Sequence, residues 1–461
     1  MTLIKSISGI RGTIGGKPGE GLSPLDVVKF TSAYAEWLKI QNTGKLKVVV
    51  GRDARISGLM VENLVISTLS GMGIDVINLG LSTTPTVEVA VPLEKANGGI
   101  ILTASHNPKQ WNALKLLNAK GEFISGEDGQ ELLEIADKED FNYSDVDNLG
   151  SITENNKYFD IHIEEVIKHE LVDVDAIKSA NFKVAIDAVN STGGLVLPKL
   201  LKALGVETIY ELYCEPNGHF PHNPEPLPEN LTEISKTVVE NKADIGVVVD
   251  PDVDRLALVC EDGSMFGEEY TLVAVADYIL SQRKGNTVSN MSSTRALRDI
   301  TEKAGGQYFP AAVGEVNVVN QMKVQNAVIG GEGNGGVIFP DLHYGRDALI
   351  GIALILTHMA KTGKSAKTLR ESYPSYHISK NKIELTPDID VDLILEKMEA
   401  KYAHENVNTV DGVKIDFAEE WVHLRKSNTE PIIRIYSESA NEQKAEDLAQ
   451  KIIGEIKEII A

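Results

Sequence analysis

Cysteine is nearly absent from this chain. Cys214 and Cys260 are the only two in 461 residues, too few for a disulfide framework or a thiolate zinc spacing. Long apolar runs are missing as well. No stretch of about 18 apolar residues occurs, so no membrane-spanning helix and no membrane partner are expected. The opening residues, Met1-Thr2-Leu3-Ile4-Lys5-Ser6-Ile7-Ser8-Gly9, hold no apolar segment of signal-peptide length, and a cytoplasmic location is the expectation. Basic charge is the third scarcity. Lys and Arg number 45 against 67 Asp and Glu, a net charge of −22 with a pI near 4.9. Nucleic-acid backbones and anionic membranes need a cationic field, so neither is an expected partner. A small anionic ligand is still open to a protein with one local cationic pocket.

Apolar residues and glycine are plentiful, at 42% and 39 residues, which suits a large α/β protein with an ample core. At about 100–150 residues per domain the length allows three or four domains. Three segments share a strand, helix, strand, loop pattern. The first has strands at 47–51 and 75–79, a helix near 60–71, and a buried run from Gly98 into a loop ending at Pro108. The second runs from 183–187 through a helix near 194–205 to 245–250. The third runs from 286–289 through a helix near 296–305 to 327–331. The acidic stretch 126–155 reads as a surface helix and loop. From about residue 372 the pattern changes to short strands at 377–385 and 432–436. An amphipathic helix follows at 441–460, with Ile452, Ile453, Ile456, Ile459 and Ile460 on its apolar stripe. The expected architecture is three related α/β domains (1–157, 158–258 and 259–367) and a C-terminal α+β domain (368–461).

Chemistry gathers in the loops. Thr103-Ala104-Ser105-His106-Asn107-Pro108 puts a serine hydroxyl and an imidazole just past a buried strand, where proline stops the sheet. Ligands of open α/β sheets collect beyond such strand ends. Asp250-Pro251-Asp252-Val253-Asp254-Arg255 follows another buried strand. Alternate residues of an extended backbone share a side, so three carboxylates converge on one hard cation, Mg²⁺ being the best match. Arg255 beside them suits phosphate oxygens. The loop has Arg255 where an EF-hand requires its glycine. Gly331-Glu332-Gly333-Asn334-Gly335-Gly336 has the spacing of a dinucleotide fingerprint, but strand-like Val337-Ile338-Phe339-Pro340 follows it rather than a helix. Glu332 and Asn334 are instead donors and acceptors for sugar hydroxyls. Gly363-Lys364-Ser365 is no Walker motif, because His358 stands where its first glycine belongs. Arg425, Lys426, Ser427, Asn428, Thr429 and Arg434 form the cationic pocket that the acidic chain otherwise lacks, suited to a phosphate dianion.

These four segments, in this order and together with Ser8-Gly9-Ile10-Arg11-Gly12, resemble the α-D-phosphohexomutase superfamily over essentially the whole chain. The resemblance implies four domains around a central cleft. It implies a phosphoryl group on Ser105 and Mg²⁺ held by Asp250, Asp252, Asp254 and an oxygen of the phosphoserine. The phosphoryl would pass to a hexose monophosphate, giving a hexose 1,6-bisphosphate that reorients and returns its other phosphate. Arg11, Lys115 and Arg255 would neutralise charge, with Lys115 and His106 both open as proton-transfer groups. Arg425, Ser427, Asn428, Thr429 and Arg434 would hold the idle phosphate. The implied partner is a small phosphosugar, and the chain a monomer or homodimer.

Two departures bear on substrate. Many bacterial members read Gly-Glu-x-Ser-Gly-His where this chain has Asn334 and Gly336, and Val-Gly-His where it has Val313-Gly314-Glu315. Both variants resemble a subgroup that includes archaeal-type phosphoglucosamine and phosphomannose mutases. An acid at Glu315 or Glu332 favours an amino sugar, so glucosamine phosphate is the expected substrate, with phosphomannomutase or phosphoglucomutase activity as the alternative. Two other readings stay open: a Mg²⁺-dependent phosphatase using an aspartyl nucleophile, with Asp250 and Asp252 as the pair, and a non-catalytic phosphosugar-binding protein.

Overall fold

Val48, Val49 and Val50 carry no polar atom and alternate in direction along a strand, so both faces of that strand must be covered. In the computed structural model, which describes residues 1–6, 9–384, 389–426 and 432–460, both faces are. Val48 and Val50 join Ile100, Leu102, Phe30 and Val65 in one buried cluster. Val49 joins Ile101, Val87, Val91 and Leu117 in another. The sheet between them has seven strands in the order Leu3–Ser6, Gly9–Thr13, Trp111–Leu117, Gly98–Leu102, Lys47–Arg52, Asp75–Leu81, Ile152–Glu154. The last four are parallel and the others antiparallel.

The repeat read from sequence is real and richer than expected. The parallel strands Gly98–Leu102, Lys47–Arg52 and Asp75–Leu81 lie in the order third, first, second. Ile245–Val249, Lys183–Asp187 and Thr208–Leu212 repeat that order, as do Ala327–Glu332, Asn286–Asn290 and Tyr308–Ala311. Each repeat has a second helix that the sequence reading did not place: Thr84–Leu93, Thr232–Asn241 and Glu315–Gln325. The strand order reverses between first and third strands, where α/β sheets open a crevice at their carboxyl ends.

One expectation needs correction. Pro108 does not end the sheet. After the turn the chain re-enters as Trp111–Leu117, antiparallel to Gly98–Leu102. The second repeat does the same, Leu256–Cys260 returning beside Ile245–Val249. The two chemistry-bearing loops are therefore hairpin turns.

The C-terminal segment is α+β. Its antiparallel sheet runs His377–Glu384, Ile432–Ser439, Trp421–Lys426, Val413–Asp416, Asn406–Asn408. The helix Glu442–Ile460 buries Ile452, Ile453 and Ile456 against Val422, Leu424, Ile433 and Ile435, with Ile459 and Ile460 partly buried at the same core. The acidic stretch holds the helix Gly126–Lys138, started by a reciprocal Ser125–Asp128 cap, then loop and the edge strand Ile152–Glu154. By contact density the chain divides into two compact units, Met1–Thr271 with Gly335–Thr368, and Leu272–Asn334 with Leu369–Ala461. The third segment is thus shared out. Its last helix, Ala348–Thr362, packs on Tyr158–Lys168 and Val174–Ala180 of the first unit. Among the described residues no helix is long and apolar enough to cross a membrane.

Candidate active site

Ser105 lies just past the Gly98–Leu102 strand with φ of 49°, a left-handed conformation that costs a non-glycine residue energy and persists only when surroundings enforce it. The enforcement is visible. Ser105 N donates to Thr103 Oγ1 at 3.0 Å. The buried guanidinium of Arg55 donates to the carbonyls of Ser105, Pro108 at 2.9 Å and Trp111 at 3.1 Å. Asp53 fixes that guanidinium through Nε at 2.9 Å and accepts from Thr103 Oγ1 at 2.7 Å. Burial pushes the Asp53 carboxyl up, and Arg55 opposes the rise.

The Ser105 hydroxyl faces the aspartates. Its Oγ donates to Asp250 Oδ2 at 2.8 Å, and His106 Nδ1 stands 3.4 Å from the same Oγ. Asp250, Asp252 and Asp254 are fully buried, and each offers a carboxylate oxygen within 4.8 Å of the others. They do not converge by strand alternation, as the sequence suggested. Val253 takes φ of 63°, and the turn folds back so that Asp254 N and Arg255 N donate to Asp250 Oδ1, each at 3.2 Å.

Cations and a hydroxyl from elsewhere in this unit share the remaining charge. Lys115 Nζ reaches Asp252 Oδ2 at 2.7 Å and Asp254 Oδ2 at 3.5 Å. Thr84 Oγ1 donates to Asp252 Oδ2 at 2.5 Å. Arg346 donates to Asp254 Oδ2 at 2.6 Å. Asp252 Oδ1 and Asp254 Oδ1 remain buried without a hydrogen-bond partner among the described residues. Burial and repulsion from Asp254 and Asp252 raise the Asp250 carboxyl well above the usual range. Burial would raise Asp252 too, but Lys115 and Thr84 hold it below that range. Burial lowers Lys115, yet Asp252 and Asp254 outweigh it and keep the ammonium charged. Burial, then Arg255, pulls the His106 imidazole down to about 3, so it is neutral near pH 7.

Arg255 NH1 lies 3.8 Å from Glu225 Oε1, and His106 Nε2 lies 3.9 Å from the same oxygen. Arg11 sits opposite Ala113 in the sheet, which puts it on the same face as Lys115 two residues on. Its Nε is buried without a hydrogen-bond partner among the described residues, and burial lowers its guanidinium pKa.

The other expected residues belong to the second unit. Glu332 Oε1 accepts from Asn290 Nδ2 at 3.0 Å and Gly314 N at 3.2 Å, and Asn334 follows on the same loop. Arg425 and Arg434 stand directly opposite each other on paired strands, and Lys382 stands opposite Arg434 on the next strand. Like charges so placed repel, which makes this face ready for an anion. Arg425 Nε also pairs with Asp411 Oδ2 at 2.8 Å. Ser427, Asn428 and Thr429 lie outside the described residues.

Sequence reasoning missed Asp53, Arg55, Thr84, Glu225 and Arg346. Asp53 and Arg55 carried a usable signal, since they follow a buried strand just as Asp250 does. Arg346, just before a long apolar helix, carried a weaker one. Thr84 and Glu225 carried none.

Four family models match in chain order. They are the phosphoglucomutase/phosphomannomutase α/β/α domains I, II and III at residues 3–143, 160–263 and 267–376, and the C-terminal domain at 386–455. A phosphoglucomutase/phosphomannomutase from Thermococcus kodakarensis is 36% identical over 95% of this chain and 96% of its own length. A phosphoglucosamine/phosphogalactosamine mutase from Sulfurisphaera tokodaii is 31% identical over 98% of each. A crystal structure of a phosphoglucomutase/phosphomannomutase family protein from Burkholderia thailandensis superposes with a TM-score of 0.83 at 25% identity, covering 98% of this chain and 97% of that one. The chain belongs to the phosphoglucomutase/phosphomannomutase family, within the α-D-phosphohexomutase superfamily. Its class is that of isomerases that relocate a phosphoryl group on a hexose phosphate.

Proposed function

We propose that this chain interconverts hexose 6-phosphate and hexose 1-phosphate through a phosphoserine at Ser105 and a hexose 1,6-bisphosphate, with glucosamine phosphate as preferred substrate. The observation that carries the reading is the Ser105 hydroxyl 2.8 Å from Asp250 at the edge of a buried carboxylate triad. A shift between positions 6 and 1 is too long for one in-line displacement. A serine carrier divides it into two transfers of ordinary reach.

The triad fits Mg²⁺: its donors are hard oxygens, and Asp252 Oδ1 and Asp254 Oδ1 are buried with no hydrogen-bond partner among the described residues. When bound by Asp250, Asp252 and Asp254, Mg²⁺ supplies charge neutralisation at the phosphoryl oxygens. The chain's own groups do the rest. Arg55 and Asp53 hold the serine loop in its strained turn. In the transfer the Ser105 Oγ–P bond breaks as the hexose hydroxyl oxygen bonds to phosphorus, and the hydroxyl's proton passes to Ser105 Oγ with His106 Nδ1, 3.4 Å away, as the relay. Lys115, Arg255 and Arg11 balance the charge of the moving group. Lys115 acts as an ammonium held by two aspartates, and His106 as a neutral acceptor beside Oγ. Arg425 and Arg434, with Ser427, Asn428 and Thr429, anchor the idle phosphate. Glu332 and Asn334 contact the sugar, and Glu332 supplies the negative charge an amino sugar needs. The division 1–157, 158–258, 259–367 and 368–461 belongs to the same proposal.

The test is parallel assays with glucosamine, mannose and glucose 6-phosphates, each primed with a trace of hexose 1,6-bisphosphate. The expected outcome is the highest kcat/KM for glucosamine phosphate, by about tenfold, one good polar contact being worth that much. In Ser105→Ala the turnover falls more than about a thousandfold, the scale on which losing a nucleophile acts. Equal rates on all three sugars would remove the amino-sugar assignment. No turnover on any would favour a binding protein.

A further inference from the structure

Behind the aspartate triad lies a second cluster that no step above uses. His162, on the helix Tyr158–Lys168, is fully buried. His343 and Asp347 sit on the segment that also supplies Arg346. His162 Nε2 lies 3.0 Å from Asp347 Oδ2, and His343 Nε2 lies 3.3 Å from the same oxygen. One donor atom from each of the three residues falls within 4.8 Å of the others. A tetrahedral ion with bonds of about 2.0–2.1 Å holds its ligand atoms about 3.3 Å apart, which matches the two histidine–carboxylate separations.

Hydrogen bonds alone could give similar distances, so the far side of each ring matters. His162 Nδ1 meets the Thr86 hydroxyl at 3.0 Å. His343 Nδ1 lies 3.4 Å from the carboxylate of Glu88, which is 1% exposed. Both rings therefore aim Nε2 inward, with His162 Nδ1 hydrogen-bonded to Thr86 and His343 Nδ1 near the Glu88 carboxylate but not hydrogen-bonded to it, and such outer oxygens orient metal-binding imidazoles.

We propose that His162 Nε2, His343 Nε2 and Asp347 bind a zinc-class divalent ion, with Glu88 and Thr86 orienting the two rings. The donor set of two imidazoles and one carboxylate suits Zn²⁺ and is unlike the all-oxygen triad. Asp347 and Glu88 together offset its two charges. The ion ties Tyr158–Lys168 and the 343–347 segment to the helix Thr84–Leu93. Those last two elements also deliver Arg346 to Asp254 and Thr84 to Asp252, so the site is a structural brace for the catalytic triad.

The experiment is zinc retention by the full-length protein. The chain is equilibrated with Zn²⁺, passed through gel filtration in millimolar Mg²⁺ and analysed for metal. One zinc per chain is expected in the wild type and in Asp252→Asn, and none in His162→Gln or His343→Gln. Glu88→Gln is expected to weaken zinc by about 10–100-fold. Co²⁺ loading of the wild type gives a measurement that needs no variant to fold: intense visible bands of a low-coordinate, nitrogen-ligated ion, bleached by Zn²⁺. No retained zinc in the wild type, retention in either histidine variant, or only the weak bands of six-oxygen Co²⁺ would overturn the proposal. None of those outcomes bears on phosphoryl transfer at Ser105.

Discussion

Arg55 shows how one side chain makes a reactive loop. The residue is 1% exposed, and among the described residues Asp53 is its one salt-bridge partner within 4.0 Å. Replacing it with an apolar group of similar length leaves Asp53 buried and uncompensated and frees three loop carbonyls. Arg55→Met is therefore expected to cost about 3–5 kcal/mol in urea unfolding. It should also lower kcat more than KM, because the serine loses its turn while the sugar contacts remain. A second residue sets a pH dependence. His423 donates from Nε2 to the Asp411 carbonyl at 2.6 Å, and its Nδ1 accepts from Ser292 Oγ at 2.9 Å. The bond that Nδ1 accepts requires a neutral ring. Burial is the main cause that brings its pKa down to about 4. Between that value and the unfolded value near 6.5 the unfolded chain binds more protons. Stability is thus full above about pH 6.5 and falls as pH drops toward 4. His423→Gln should flatten that slope in unfolding measured from pH 7.5 to 4.5. An unchanged slope would assign the pH dependence elsewhere.

At the scale of elements, the sheet of the first repeat is held by backbone contacts that leave no room for a side chain. Tyr34 Oη donates to the carbonyls of Leu117 at 2.6 Å and Gly99 at 3.2 Å. A Cβ on Gly98 would sit 2.0 Å from that hydroxyl oxygen. Gly98→Ala must displace the tyrosine, and a loss of about 1–3 kcal/mol is expected in thermal or urea unfolding. A neutral result would mean the ring can swing aside. Elements also mark where the sequence was hard to read. Continuous apolar strands were legible because both faces of each sheet are covered. The helix Thr84–Leu93 was not. It is rich in valine and threonine and has proline at both ends, which reads as extended chain. It forms because Thr83 caps it, Pro85 fits its first turn, and Val87 and Val91 are buried against the sheet. Since that helix carries Thr84, Thr86 and Glu88, missing it hid a partner of Asp252 and the outer partners of two histidines.

For the molecule as a whole, the order of four chemically distinct loops was the most legible feature. Ser105, Asp250, Asp252 and Asp254 were readable because polar groups directly after buried strands are conspicuous. Their manner of convergence was not. Turns with Ser105 and Val253 in left-handed conformations bring them together, and neither residue type announces such a turn. The cations that answer the triad, Lys115 and Arg346, come from a return strand and from a segment some 230 residues further along, so only folding pairs them. The account stands on the Ser105 hydroxyl as the phosphoryl carrier. The most direct measurement is to incubate the full-length protein and Mg²⁺ with radiolabelled hexose 1,6-bisphosphate and map the labelled peptide. The account predicts acid-stable label on Ser105 that is chased off by hexose 6-phosphate. Hydroxylamine-sensitive label on Asp250 or Asp252, or no protein-bound label beside active turnover, would contradict it.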